Sequence, residues 1–515
     1  MHSKLNITMR FLFYNLLIVT LLFTSCKKDE NTTPEPTINE DASTFKEIAT
    51  ISIGGIGAAE ISAYDASTKK LFVVNNSGTN RIEIIDLTDP AMPKIIGNIN
   101  LVPYNGASNS VACYNGKLAV ALESTTSKQD LGKVVVFNTS TYAEIKQITV
   151  GALPDMVTFS PDGNFILTAN EGEPNDTYTN DPDGTVSIID VNNNYTATTL
   201  NFSAFNTQLT TLKQAGFRSF GPSAGNLAKD IEPEYITIST DSKTAWVTLQ
   251  ENNAIAKIDL TNKTITTIFP LGFKDYNVTE NAIDISDQDG GIAFANWKVK
   301  GMFEPDAISY FENNGTQYVV TANEGDQREY TGFNEVKRIG SSSVLLDATA
   351  FPNAVTLKTN AQMGRLNITT TLGDTDGDGD LDELYSYGSR SFSIWNGTTG
   401  QLVFDSKNDL DKRAQTLTTY DDGRSDDKGS EPEAVITGKM GTKNILFVGL
   451  ERADAFVIYD ISNPIAPQFL QSLKTGDAPE GILFIPAKNA PTNRSLLILS
   501  NENDGTIRIY QPNLL

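Results

Sequence analysis

Histidine and cysteine are almost missing from this chain. Its 515 residues include one histidine, His2, and two cysteines, Cys26 and Cys113. That shortage excludes a disulfide framework, a Ser-His-Asp or Cys-His catalytic group, and a His- or Cys-ligated zinc site. Cys113 lies in the apolar run Ser110-Val-Ala-Cys113-Tyr114 and reads as a buried small hydrophobe rather than a nucleophile. Any catalysis must therefore use carboxylates, Tyr, Lys, Arg, Ser or Thr, or a metal held by oxygen. Positive charge is scarce as well, with 40 Lys and Arg against 63 Asp and Glu and a formal net charge of −23. Such a surface repels polyanions, because binding them needs a basic patch to release their counterions. A nucleic-acid partner is excluded, and no haem, nucleotide or flavin is expected. Beyond the first 25 residues no sustained helical period appears.

Long hydrophobic runs are missing too. Phe11 to Phe23 is an apolar stretch of about thirteen residues, short for a bilayer span. It follows Lys4 and Arg10 and ends at Leu22-Phe23-Thr24-Ser25-Cys26, a sequence like a bacterial lipoprotein cleavage box. The expectation is a signal peptide over 1–25 and a lipidated Cys26 anchoring an exported protein at the outer membrane or cell surface. A plain signal peptide and a membrane helix are the competing readings. Residues 26–44 begin polar and Pro-containing and read as a flexible tether.

What is present is a repeat. A short strand opens with an acid, usually after proline, in AEISAY (59–64), PDMVTFS (154–160) and PEYITIS (233–239). The same opening recurs in PDAISYF (305–311), PEAVITG (432–438) and PEGILFI (479–485), with a degenerate copy NSVACY at 109–114. Each is followed by a second apolar run ending in Asn or Glu, as in LTANEG (167–172) and VTANEG (320–325). Third strands such as TVSIIDV (185–191) and AFVIYDI (455–461) follow in most copies, and faint fourth strands in some. Short runs rich in Val, Ile, Thr and Tyr, bounded by Gly, Asn, Asp and Pro, are strands. Four strands repeated seven times predict an all-β, seven-bladed β-propeller over 45–515. The last copy lacks a fourth strand, while FKEIATISI (45–53) precedes the first copy as a spare. Pairing the two would close the ring and remove two free edges. Insertions at about 192–230 and 327–383 are expected as long loops on one face.

In an up-and-down blade the first strand starts and the second ends at the same face. The opening acids Glu60, Asp155, Glu234, Asp306, Glu433 and Glu480 should therefore meet the strand-end acids Glu123, Glu171, Glu251, Glu324, Glu451 and Glu502 at one channel mouth, with Asp326 just beyond Glu324. Carboxylates so crowded repel one another unless protons or cations neutralise them, and hard divalent cations suit oxygen-only ligands. The competing reading makes these acids turn caps that accept main-chain hydrogen bonds. A second cation signal is Asp374-Thr-Asp376-Gly-Asp378-Gly-Asp380-Leu-Asp382, in which Asp374, Asp376, Asp378 and Asp382 would ligate calcium around a glycine-permitted turn. Position twelve of that loop is Tyr385, so it is not an EF-hand, and a solvated acidic turn is the alternative. Arg218, Arg328, Arg390 and Arg452 are the candidate cations for an anionic substrate, each with an ordinary ion pair as its rival role.

LTANEGEPND (167–176), DIEPEYI (230–236), PDAISYF (305–311), VTANEGDQREY (320–330), GDTDGDGDLDELYSYGSRSFSIW (373–395) and DDKGSEPEAV (426–435) resemble the choice-of-anchor I domain of bacterial surface proteins. The likeness covers nearly all of 45–512. The first copy departs from it with Asn75-Asn76 in place of Asn-Glu, and the second opens with Asn109-Ser110. Family members include mesenchyme-type cell-surface glycoproteins and proteins described as alkaline phosphatases. The resemblance therefore implies a surface protein and, beyond that, a Ca2+-dependent phosphoester hydrolase acting on a small phosphorylated or otherwise anionic substrate. The alternative is a non-catalytic module that binds a surface protein or glycan.

Overall fold

Residues 39–515 are described by the computed structural model, so the expected signal peptide, Cys26 and most of the tether lie outside the described residues. Seven four-stranded antiparallel sheets follow one another along the chain. Their first strands are Ser62–Asp65, Gly106–Tyr114, Pro154–Phe159, Pro233–Ile238, Ile308–Asn313, Pro432–Met440 and Pro479–Ile485. The seventh sheet takes its outer strand, Glu40–Ser52, from the other end of the chain, where it pairs with Thr506–Leu514. That strand overlaps the last five residues of the expected tether.

Burial explains why these segments are strands. Leu71, Phe72, Val73 and Val74 of one second strand are all fully buried, because both faces of the sheet are covered. Outer strands are wetter, as in Lys94–Asn100, where Ile95 and Ile96 are about half exposed. Each main apolar core lies between two consecutive sheets. Trp246 and Ile255 of the fourth sheet meet Ile308, Val319 and Trp395 of the fifth. Leu71 and Val73 of the first sheet meet Leu496, Ile498 and Ile509 of the seventh.

The insertions differ from expectation. Thr196–Asn201 is the outer strand of the third sheet, so that insertion starts at 202 rather than 192. The third strand of the fifth sheet, expected over 384–396 directly after the insertion, is only Ser391–Asn396. Tyr385–Ser386 instead pairs in parallel with Lys300–Met302, which pairs antiparallel with Phe273–Asp275. Two further crossovers were not foreseen, at 271–303 and 406–431. The first joins the long insertion in a satellite core of Tyr276, Ile283, Ile285, Ile339, Phe351, Met363 and Leu384. The second carries a helix, Asp409–Leu417, whose Leu410 and Ala414 are buried in the core between the fifth and sixth sheets.

Candidate functional site

The repeat positions its acids through main-chain geometry. Leu153, Glu304, Glu431 and Ala478, each just before an opening proline, all have positive φ, between 42° and 56°. Bulky residues avoid this region, so the chain is strained at four equivalent corners. The carbonyl beyond each corner is then used. The amides of Glu171, Glu451 and Glu502 donate to Leu153, Glu431 and Ala478 at 2.9 Å, and Gly325 donates to Glu304 at 3.0 Å. Each bond pins the end of a second strand beside the start of the first. One residue earlier stands a buried Asn in several sheets. Asn75 donates to the Ile53 carbonyl, Asn170 to Thr185, and Asn501 to Thr506. With the amide fixed in the core, the next side chain faces the mouth.

A cavity of about 80 Å³ there is lined by Asn109, Asp155, Tyr235, Asp306, Glu433 and Glu480. Below it a second cavity of about 350 Å³ lies between apolar residues including Val111, Val157, Ile236 and Ile308. Cys113 borders that lower part, its thiol pushed up by burial, in keeping with its reading as a packing residue. A flanking depression of about 400 Å³ adds Asn76, Glu123, Lys128, Glu171 and Glu173.

Crowding and burial act together on these acids. Burial lifts Glu60 to about 7, eased by donation from Asn76 and raised again by Glu502, Asp155 and Glu123. Asp155 is lifted to about 6, by burial and then by Glu173. Glu171, Glu234, Asp306, Glu433 and Glu480 stand well above the ordinary range, burial first and neighbouring acids second. Glu123, Glu251 and Glu451 are raised too, and Asp326 reaches about 7, all chiefly by burial. Oxygens of Asp155, Glu171 and Glu234 lie within 4.8 Å of one another, as do those of Asp306, Glu324 and Glu433. Both triads have one composition, an opening acid, the strand-end Glu of its own sheet, and the opening acid of the next. Among the described residues no main-chain amide donates to Glu60, Asp155, Glu234, Asp306, Glu433 or Glu480. Glu433 and Glu480 each keep one buried oxygen with no partner at all. Turn-capping therefore does not account for the opening acids.

Three of the four candidate arginines are elsewhere engaged, which corrects their expected role. Arg218 is buried between Glu304 and Glu335. Arg328 is buried against Asp230 at 2.9 Å and Glu232 at 3.0 Å. Arg390 is buried and donates to the carbonyls of Asp284, Ser425 and Asp427. None is free to clamp a substrate. Arg452 alone keeps an exposed side chain, 3.1 Å from Glu451 and 3.7 Å from Glu431.

The 374–382 loop is also partly rearranged. Asp374 accepts from the amides of Gly377 and Gly379, and Asp376 and Asp378 from amides two residues on. Asp382 accepts from the amide and hydroxyl of Thr375. The carboxylates that converge are Asp380 and Asp382 with Asp347, a residue 27 positions before Asp374 that no spacing pattern marked. Sequence reasoning also missed Lys428. Its buried ammonium reaches Glu324, Glu431 and the Gly325 carbonyl, and those carboxylates hold it protonated against burial. Only its place in the resembling segment DDKGSEPEAV pointed to it.

The family model of the choice-of-anchor I domain matches residues 60–464. The chain belongs to this family. Similar proteins include Gigasin-3a of Magallana gigas, 29% identical over 185 residues, covering 29% of this chain and 65% of that protein. The mesenchyme-specific cell surface glycoprotein of Strongylocentrotus purpuratus is 25% identical over 371 residues, covering 62% and 46%. The choice-of-anchor I chain thus spans less than two-thirds of the length of either relative. Similar solved structures include hydrazine synthase of Kuenenia stuttgartiensis, with TM-score 0.48, 12% identity and 89% and 97% of the two chains covered. The WD40 domain of Toxoplasma gondii coronin gives TM-score 0.49, 9% identity and 93% and 89% coverage. Among the described residues no helix is long and apolar enough to cross a membrane.

Proposed function

We propose that the seven sheets are the blades of one closed propeller, displayed by an exported, lipid-anchored surface protein, whose acidic mouth binds a hard divalent cation such as calcium. One observation carries this reading. Two equivalent triads, Asp155–Glu171–Glu234 and Asp306–Glu324–Glu433, bring carboxylate oxygens within 4.8 Å while the opening acids cap no main-chain amide. Three ionised carboxylates this close and half-buried need a counter-charge. Calcium accepts six to eight oxygen ligands in irregular geometry, which suits acids of unequal reach. The first triad is the better host, because Glu324 of the second already holds Lys428.

Phosphoester hydrolysis is a second reading, favoured by the exposed guanidinium of Arg452 beside the Glu324, Glu431 and Glu451 carboxylates. A bound divalent ion would supply Lewis acidity and offset the charge that an anionic substrate meets here. Arg452 would orient the phosphoryl oxygens, and the raised carboxyls of Glu433 and Glu451 would hold or release the proton of an attacking water.

The test uses the full chain. Calcium binding is measured calorimetrically at pH 7.5 in the wild type and in Asp155→Asn/Glu234→Gln, and release of an aryl phosphate is followed with calcium and then with chelator. Loss of at least one equivalent in the double variant is expected. Chelator-sensitive turnover lost in Arg452→Ala would add the hydrolase, and binding without turnover would leave a cation-dependent surface module. Unchanged stoichiometry in the double variant would overturn the metal reading.

A further inference from the structure

Away from the mouth, one group of carboxylates lacks an internal partner. In the 271–303 crossover Ile283 and Ile285 enter the satellite core, and Ile283 bridges Ala295. Between them stands Asp284, fully buried, and neither carboxyl oxygen has a well-aligned hydrogen-bond donor, although the Ala293 amide and the Asp422 carboxyl approach it. In extended chain successive side chains alternate, so Asp284 points away from the apolar core its neighbours fill. There its oxygens and those of Asp289 and Asp422 lie within 4.8 Å of one another. One oxygen of Asp422 is likewise buried and without a partner.

Nearby acids are treated differently. Asp287 is bound by Arg365 at 2.7 Å, and Asp426 by Arg365 at 2.9 Å and by Arg338. Among the described residues Asp284, Asp289 and Asp422 form no ion pair. Arg390 is close, yet its guanidinium serves the main chain. One nitrogen donates to the Asp284 carbonyl at 2.7 Å, the other to the Ser425 and Asp427 carbonyls at 2.7 and 2.9 Å. It fixes the two backbones that carry the acids, lies 3.9 Å from Asp411, and forms no ion pair with the three carboxylates. Burial first, with Asp289 and Asp422 adding, lifts Asp284 to about 7 against the pull of Arg390. An unpaired buried carboxylate is among the most costly groups a fold can retain, and a cation is its usual compensation.

We propose that Asp284, Asp289 and Asp422 form a second hard-cation site, filled by calcium, that fastens the 271–303 crossover to the segment following the Asp409–Leu417 helix. An all-carboxylate donor set favours calcium or magnesium over thiophilic metals. Its mixture of one buried, one half-buried and one exposed acid leaves room for water or carbonyl oxygens to complete a calcium shell. The site shares no residue with the channel mouth and does not depend on the function proposed for it.

Calcium binding to the full chain at pH 7.5, with thermal unfolding before and after chelator, tests the assignment. Asp289→Asn and Asp422→Asn alter the accessible side of the group and keep the test valid even if Asp284→Asn misfolds. Each should weaken one equivalent of calcium at least tenfold and abolish the chelator-induced fall in Tm attributable to it. Asp155→Asn/Glu234→Gln should retain that equivalent. If Asp289→Asn and Asp422→Asn bind as many ions as the wild type with the same affinity, the assignment is wrong and the three acids share protons instead.

Discussion

Glu60 at the mouth is easier to protonate in the folded state than in the unfolded one, and this fixes the sign of its effect on stability. Glu60 moves from 4.5 to about 7. Its contribution is fully present below about pH 4.5 and is lost as pH rises through 7. Without divalent metal the chain should therefore lose stability between pH 5 and pH 8. Glu60→Gln should reduce that loss by about 1–3 kcal/mol in urea unfolding with chelator present. A pH-independent difference between the two proteins would contradict this. The arginines follow a different rule. Removing Arg218 strands Glu304 and Glu335 in the interior, so Arg218→Ala should cost about 3–5 kcal/mol. Arg452→Ala, at a partly exposed pair, should stay within about 1 kcal/mol. Equal effects in the same unfolding experiment would show that Arg218 is not the structural residue described.

Among the elements, legibility in the sequence follows burial. Second and third strands are covered on both faces, so runs such as KLFVVN and AFVIYD announce themselves as unbroken apolar segments. Outer strands are half wet, so TATTLN reads as part of an insertion that it only precedes. The opening acids were readable because proline and acid recur together, and the strand-end acids because strand alternation places them at the same end. Local spacing misplaces Arg218, Arg328 and Arg390 because their partners Glu335, Asp230 and the 425–427 carbonyls come from distant insertions. Asp347 and Asp422 were missed for the same reason. The shortened third strand of the fifth sheet has a local cause. Gly388 has φ 64°, and a Cβ there would stand 1.9 Å from the Glu324 carbonyl oxygen. Gly388→Ala should thus cost more than about 1 kcal/mol in thermal unfolding and disturb the Asp306–Glu324–Glu433 triad. An unchanged Tm would show that the turn does not require glycine.

For the whole molecule, the strand Glu40–Ser52 covers what would otherwise be the free edge of Thr506–Leu514, and seven sheets share cores in sequence. In the closed ring proposed for these sheets, the acids that open first strands and end second strands are multiplied into one charged mouth. Cation binding should therefore displace protons from raised carboxyls and strengthen as pH rises from 6 to 8. The most direct measurement is to locate ions by anomalous scattering in crystals of the full chain grown with manganese as a calcium surrogate at pH 8. A peak coordinated by Asp155, Glu171 and Glu234 is predicted. A mouth with no peak, its carboxylates joined by short carboxyl–carboxylate hydrogen bonds, would contradict the account.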